Sequence, residues 1–223
     1  MPSAQPYDLT DVATLIEYAN LLSASTEVQD IAQECISGFS NSVYRYAGRA
    51  AGIFSSVMTF DEFYDGNDSD LLYLDNSPIV SITSVQVNGA TVPQSTGVNT
   101  PGWFIDRQKA SIKMRSNSGA QGVATFANTD WATFTGLPPY RFLRGRGNIE
   151  VSYTAGYTAV PPDLLMAALK QCTVWLNRRL REDERSRNMP NVGTTSYAPW
   201  AWSPDVLLIV AQYKRIAAYS AAY

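Results

Sequence analysis

Residues 148–171 read NIEVSYTAGYTAVPPDLLMAALKQ, and within them the apolar period changes. Ile149, Val151 and Tyr153 alternate with polar neighbours, the period-two pattern of a half-buried strand. Beyond Tyr157 the pattern becomes helical. Pro161 and Pro162 stand where a first turn tolerates proline, and Asp163 complements the dipole. Leu165, Leu169, Cys172, Leu176 and Leu180 then supply an apolar face. A strand that feeds a long helix, with further strands before it and helices at both ends of the chain, predicts an α+β fold.

Working towards the N-terminus, WFIDRQKASIKMR (103–115) reads as a hairpin. In IVSITSVQVNG (79–89), Val80 and Ile82 alternate in one phase and Val85 and Val87 in the other, so a bulge or bend is expected near Thr83 and Ser84. SVMTFDEFY (56–64), the turn cluster DGNDSD (65–70) and LLYL (71–74) read together as one more hairpin. Residues 116–147 are rich in Gly, Asn, Ser and Thr and weakly periodic, the pattern of a long interaction loop.

Two helices precede the strands. Asp8 is the expected cap of the first, which runs to about Asn20 with Leu9, Val12, Leu15, Ile16 and Ala19 inward. The second starts at Ser25 or Thr26, with Thr26 and Gln29 spaced as a capping box, and stops at Gly48. Its expected buried face is Val28, Ile31, Ala32, Cys35, Phe39, Val43 and Tyr46. The expected organisation is a helical pair over 1–52, a β subdomain over 53–158 containing the loop 116–147, a core helix over 159–187, and a linker with a C-terminal extension over 188–223. The last helix opens at Ser203-Pro204-Asp205, and its apolar residues, Val206 to Ala211 and Ile216 to Ala218, surround most of its circumference. A helix apolar all round must be covered all round, by its own core or by another subunit.

Composition narrows the chemistry. Histidine is absent from all 223 residues, which removes Ser-His-Asp, Cys-His and zinc-histidine sites. Cys35 and Cys172 have no neighbouring cysteine at metal-ligand spacing and read as buried free thiols. No stretch reaches the roughly 18 apolar residues of a membrane span. The start MPSAQPYDLTD lacks a signal-peptide pattern, so synthesis and use without export are expected. Residues 1–100 carry 12 acids and 2 bases, while 101–223 carry 8 acids and 15 bases. Such asymmetry suits a molecule stacked between different partners, and equally one whose halves interleave in the fold.

Several motifs invite chemical readings. DGNDSD places Asp65, Asn67 and Ser69 as a calcium loop would, but lacks the sixth-position glycine and has Asn76 at the twelfth, so it reads as a tight turn. RGRGN (144–148) has no strand-turn-helix context for phosphate and also reads as a turn. Arg178, Arg179, Arg181, Arg185 and Arg187 are interrupted by Glu182, Asp183 and Glu184, which suits an intersubunit or solvated surface better than a phosphate track. The carboxylate pairs Asp61/Glu62 and Asp68/Asp70 are poor catalysts: strand neighbours face opposite ways, and the second pair belongs to a turn. No catalytic residue, metal or cofactor is expected.

In this order the pieces resemble the head-to-tail connector (adaptor) family of tailed phages. The resemblance is carried by DGNDSDLLYLDNSPIVSITSVQVNG (65–89), EVSYTAGY (150–157), VPPDLLMAALKQ (160–171), and Leu207-Leu208 followed by Tyr213-Lys214-Arg215. It covers roughly residues 8–115 and 148–216; the segment 116–147 and the tail AAYSAAY depart from it. It implies a helical adaptor core with an inserted antiparallel β subdomain and a C-terminal docking helix, and a non-enzymatic structural virion protein made in the bacterial cytoplasm. It further implies a ring of twelve subunits in the neck, with the portal on one side and a tail, stopper or head-completion protein on the other. DNA would pass through with transient, non-specific contact, and no membrane is involved. On this reading residues 203–223 dock the portal through Trp200, Trp202, Val206, Leu207, Leu208, Val210, Tyr213, Lys214 and Arg215, tethered by the linker 188–202. Arg178, Arg179, Arg181, Glu182 and Asp183 would lie between subunits. The competing reading is another virion assembly or binding module, a tail terminator or baseplate component, to which 12% aromatic content would lend a ligand surface.

Overall fold

Two N-terminal helices set the first layer. In the computed structural model, which describes residues 3–21, 24–97, 100–106, 110–115, 141–180 and 202–215 and the backbone of 186–189 and 193–196, α1 spans Val12–Tyr18 and α2 Thr26–Ala47. The chain is α+β, with α3 at Pro162–Arg179, α4 at Pro204–Gln212 and antiparallel sheets between. It divides into two compact units: Met1–Ser56 with Thr158–Lys214, and Val57–Tyr157 with Arg215–Tyr223.

The helical unit departs from expectation at its caps. Asp11, not Asp8, caps α1, accepting from the Thr14 amide at 2.8 Å, which holds its carboxyl below the usual range. Asp8 is used elsewhere: its Oδ2 accepts from the Gln5 amide (2.9 Å), Gln33 Nε2 (2.6 Å) and Ser37 Oγ (3.2 Å), tying the leading segment to α2. Ser25, not Thr26, caps α2, and the expected box of Thr26 with Gln29 is absent because the Gln29 side-chain Nε2 donates to the Ala24 carbonyl. Gly48 ends α2 with φ at 65°, where a Cβ would be strained.

The buried face of α2 is turned from the one expected. Ala32, Ile36, Phe39, Val43, Tyr44 and Ala47 are inward, Val28, Ile31 and Cys35 lie at the margin, and Tyr46 is exposed. Polar Gln33 and Ser40 share the buried face because each has a partner, Asp8 for the first and the Leu9 amide (3.0 Å) for the second. On α3, Leu169, Cys172 and Leu176 are buried as expected, together with Leu164, Ala167, Ala168 and Gln171, whereas Leu165 is only half-buried and Leu180 is exposed. Small residues at 167 and 168 let neighbouring helices approach, which brings Leu164 inward in place of Leu165.

The β unit holds β1 (Val57–Gly66), β2 (Leu71–Tyr73), β3 (Ile79–Val87), β4 (Ala90–Thr91), β5 (Gly102–Ile105), β6 (Ser111–Arg115) and β7 (Gly145–Gly156). One sheet runs β1-β7-β3-β4 and another β2-β6-β5. The expected hairpin of β1 with β2 does not form. β1 pairs with β7 and β2 with β6, because the turn after Gly66 carries the chain from one sheet to the other. The hairpin of β5 with β6 does form. In β3 the register shifts twice, at Ile79/Ser81 and Ile82/Ser84, so Ile79, Val85 and Val87 are buried while Val80 turns outward.

Residues 144–148 are not a turn. Gly145–Asn148 belong to β7, where Arg146, Gly147 and Asn148 bulge opposite Asp65. Gly66 must be glycine, since a Cβ there would sit 1.6 Å from the Leu143 carbonyl oxygen. Of the expected loop 116–147, residues 116–140 lie outside the described residues. The inward faces of both sheets share one core, built on Leu72, Ile79, Val85, Trp103, Ile112, Phe142, Val151 and Tyr153. A separate ribbon pairs β8 (Ser186–Met189) with β9 (Gly193–Ser196).

The charge asymmetry along the chain does not survive folding. The first unit contains eleven acids and nine bases, the second nine acids and eight bases, because each draws on both halves of the sequence.

Candidate interaction surface

Helix α4 is held on one face and bare on the other. The Ser203 amide at its start donates to Oε1 of the fully buried Gln171 at 2.9 Å, and Pro204 occupies the first turn without losing a hydrogen bond. Asp205 is paired with Lys170 of α3, which holds its carboxyl below the usual range. Val206 and Val210, one turn apart, are completely buried in the helical unit. Tyr213 closes the end: its ring meets Phe54 edge-on at 5.5 Å and its hydroxyl donates to Asp163 Oδ1 at 2.6 Å. The Tyr213 carbonyl accepts from Arg49 Nε at 3.3 Å.

The opposite face carries Leu207, Leu208 and Ala211. Leu207 is 40% and Leu208 69% exposed, and Met166 of α3 is exposed as well. These residues meet water with no polar atom to offset their hydration cost.

The expected docking set therefore splits. Leu207 and Leu208 are available. Val206 and Val210 are not, being core residues of their own unit, and Tyr213 is held by Phe54 and Asp163. Trp202 packs on Phe39 (5.6 Å) and Tyr46 (5.4 Å), and Lys214 Nζ lies 5.7 Å from the centre of the Tyr46 ring. Arg215 pairs with Asp75 of the β unit. Trp200 lies outside the described residues, as do Arg181, Glu182 and Asp183. Of the two remaining intersubunit candidates, Arg179 is exposed, while Arg178 is half-buried with an Nε that has no partner among the described residues.

Asp61 and Glu62 lie on opposite faces of β1. Glu62 points inward in phase with Phe60 and Tyr64, and its carboxylate accepts from the Tyr64 and Tyr153 hydroxyls and from Asn76 Nδ2 (3.0 Å). Both phenols are pushed above their ordinary range, by burial first and by the carboxylate second. Asp61 is exposed on the other face of the strand. In the acidic turn, Asp65 Oδ1 accepts from the Gly147 amide (2.6 Å) and Asn67 Oδ1 from the Ser69 amide (3.0 Å), so these oxygens serve the backbone. Among the described residues no three Cys, Asp or Glu side chains gather as metal ligands.

Neither cysteine is bonded to the other. Cys172 is buried and its Sγ lies 3.6 Å from the Cys35 carbonyl oxygen. Burial pushes the Cys35 thiol up to about 11, the Arg179 guanidinium opposing only in part. A thiol so placed is a weak nucleophile at neutral pH.

The inward carboxylate at Glu62 was visible in the strand's alternation, since it shares the phase of Phe60 and Tyr64, but of its three donors only Tyr64 lies on β1, Tyr153 coming from β7 and Asn76 from the β2–β3 connection. Neither a scan against protein-family models nor a search of curated proteins finds a match for this chain.

Proposed function

We propose that this chain is a non-enzymatic structural protein of a tailed-phage particle, a head-to-tail connector that forms a ring beneath the portal. The observation that carries the reading is the face of α4. A helix anchored by Val206, Val210 and Tyr213 presents Leu207, Leu208 and Ala211 outward, which places an apolar ridge on a rigid support near the end of the chain. The order of elements, two helices, a β insertion, a long helix and a short final one, is the order the resemblance calls for.

The docking element is thereby smaller than the tail as a whole. It is the Leu207/Leu208 ridge, with Val206 and Val210 holding it in place from beneath. Full burial of two leucines is worth roughly 3–6 kcal/mol gross, which is modest for one copy and sufficient for a ring in which each docked copy raises the effective concentration of the next.

Cryo-electron microscopy of purified particles tests the proposal, with the chain expected at the neck, between portal and tail. In a pull-down with portal protein, Leu207→Asp with Leu208→Asp should abolish capture while leaving the melting temperature within a few degrees of wild type. Density for the chain at the baseplate or tail terminus would overturn the connector reading, as would unchanged capture by the double variant.

A further inference from the structure

The chain's two cysteines stand 137 residues apart in sequence, yet they meet between α2 and α3 of the helical unit. The Cys172 thiol, fully buried on α3, donates to the carbonyl oxygen of Cys35 at 3.6 Å, so its sulfur rests on the residue that carries the other thiol. Cys35 stands at the margin of the buried face of α2 and is only partly covered. Its sulfur lies within electrostatic reach of Arg179, seven residues beyond Cys172 and on the same stripe of α3, and Cys172 lies within reach of Cys35 in turn. Each thiol is therefore turned towards the helix that carries the other.

The backbones around the pair are built to come close. A disulfide needs Cα atoms about 4.4–6.8 Å apart, nearer than helices bearing large side chains ordinarily pack. Ala32 on α2 and Ala168 on α3, each one turn from its cysteine, are buried and carry nothing beyond Cβ, which lets the two helices approach here. No third cysteine in the chain competes for either sulfur.

We propose that Cys35 and Cys172 form a disulfide when the folded chain meets a small oxidised thiol such as glutathione disulfide, clamping α2 to α3. Cys35, the more accessible of the two, loses its proton and attacks the oxidant. A sulfur–sulfur bond forms to Cys35, and one glutathione thiolate leaves and takes up a proton. Cys172 then gives its proton to solvent and attacks the Cys35 sulfur, forming the internal bond and expelling the second glutathione. Two protein thiols are oxidised and one small disulfide is reduced to two thiols. Burial holds both cysteines above the ordinary thiol range, so exchange is slow at neutral pH, and the clamp closes only on prolonged contact with an oxidising medium. The clamp requires only this chain, so absence from a phage neck would overturn the previous proposal and leave this one intact.

Incubating the full folded chain with glutathione disulfide at about pH 8.5, without denaturant, tests it. After acid quenching, the chain is unfolded, its remaining thiols are alkylated and its mass is measured. The wild-type chain should become lighter by two hydrogens, resist alkylation and yield one cross-linked peptide pair, Cys35 with Cys172. Its melting temperature should rise by roughly 5–15 °C and return on reduction, because the bond closes a long loop in the unfolded chain. Cys172→Ser should stop at a glutathione adduct on Cys35, and Cys35→Ser should leave Cys172 unmodified. Circular dichroism monitors folding, and the wild-type measurement decides alone if a variant does not fold. Two free thiols after prolonged incubation would overturn the inference. So would a wild-type chain that stops at the Cys35 adduct, a bond formed only between copies, or an oxidised chain that melts no higher than the reduced one.

Discussion

Glu62 shows how one carboxylate can organise a β unit through its hydrogen bonds. It accepts from two phenols and an amide, and the same phenols accept from the Asp75 and Asn76 backbone amides (3.0 and 3.2 Å), so the hub fixes the connection between β2 and β3. Glu62→Ala strands three donors and should cost about 2–4 kcal/mol in chemical unfolding. Glu62→Gln, which retains an acceptor, should cost less; equal losses would mean the hub contributes only packing. Titration follows from the same burial. Unfolded Cys and Tyr release protons near pH 8.5 and 10, whereas folded Cys35 holds its proton to about 11 and Tyr64 and Tyr153 hold theirs above the ordinary range. The folded state thus binds more protons across this window, and stability falls as pH rises from about 8.5 to 11. A melting temperature flat over that range would contradict the burial of these groups. The oxygens of Asp65 and Asn67 are occupied by amides, so calcium or EDTA should leave the melting temperature unchanged.

At the scale of elements, α4 has become a core helix with one bare face. Val206→Ala and Val210→Ala should each destabilise the helical unit by roughly 1–3 kcal/mol, while Leu208→Ser should fall within about 0.5 kcal/mol of wild type. Thermal melts of the three variants separate the faces directly. Deletion of residues 203–223 should destabilise the unit severely, since it empties the sites of Val206, Val210 and the Tyr213 ring. A truncated chain that melts like the full one would show that α4 is dispensable to its own core.

At the scale of the molecule, the β unit is an insertion. Its first strand pairs with its last, Val57 opposite Gly156, so chain entry and exit adjoin. Among the described residues its core draws only on 57–157, and the pair of Arg215 with Asp75 is largely exposed and worth little. A fragment comprising residues 57–157 should therefore fold alone, with a strand-type circular dichroism spectrum and a cooperative melt. A featureless spectrum would mean that the unit depends on the rest of the chain.

What the sequence by itself determined is what short-range rules govern. The period change at 148–171, the glycine stop at Gly48, the Pro-Asp helix starts and the register change in β3 all follow from steric preference and alternation over a few residues. Tertiary structure decided the partners. β1 joined β7, some ninety residues away, in place of its neighbour β2, and Asp8 became a tether for α2 in place of a cap. The bare and buried faces of an all-apolar helix were chosen only when α2 and α3 came to lie beneath it. Hydrophobic burial has no direction of its own, so local sequence says that a surface needs covering, and only the packed fold says what covers it.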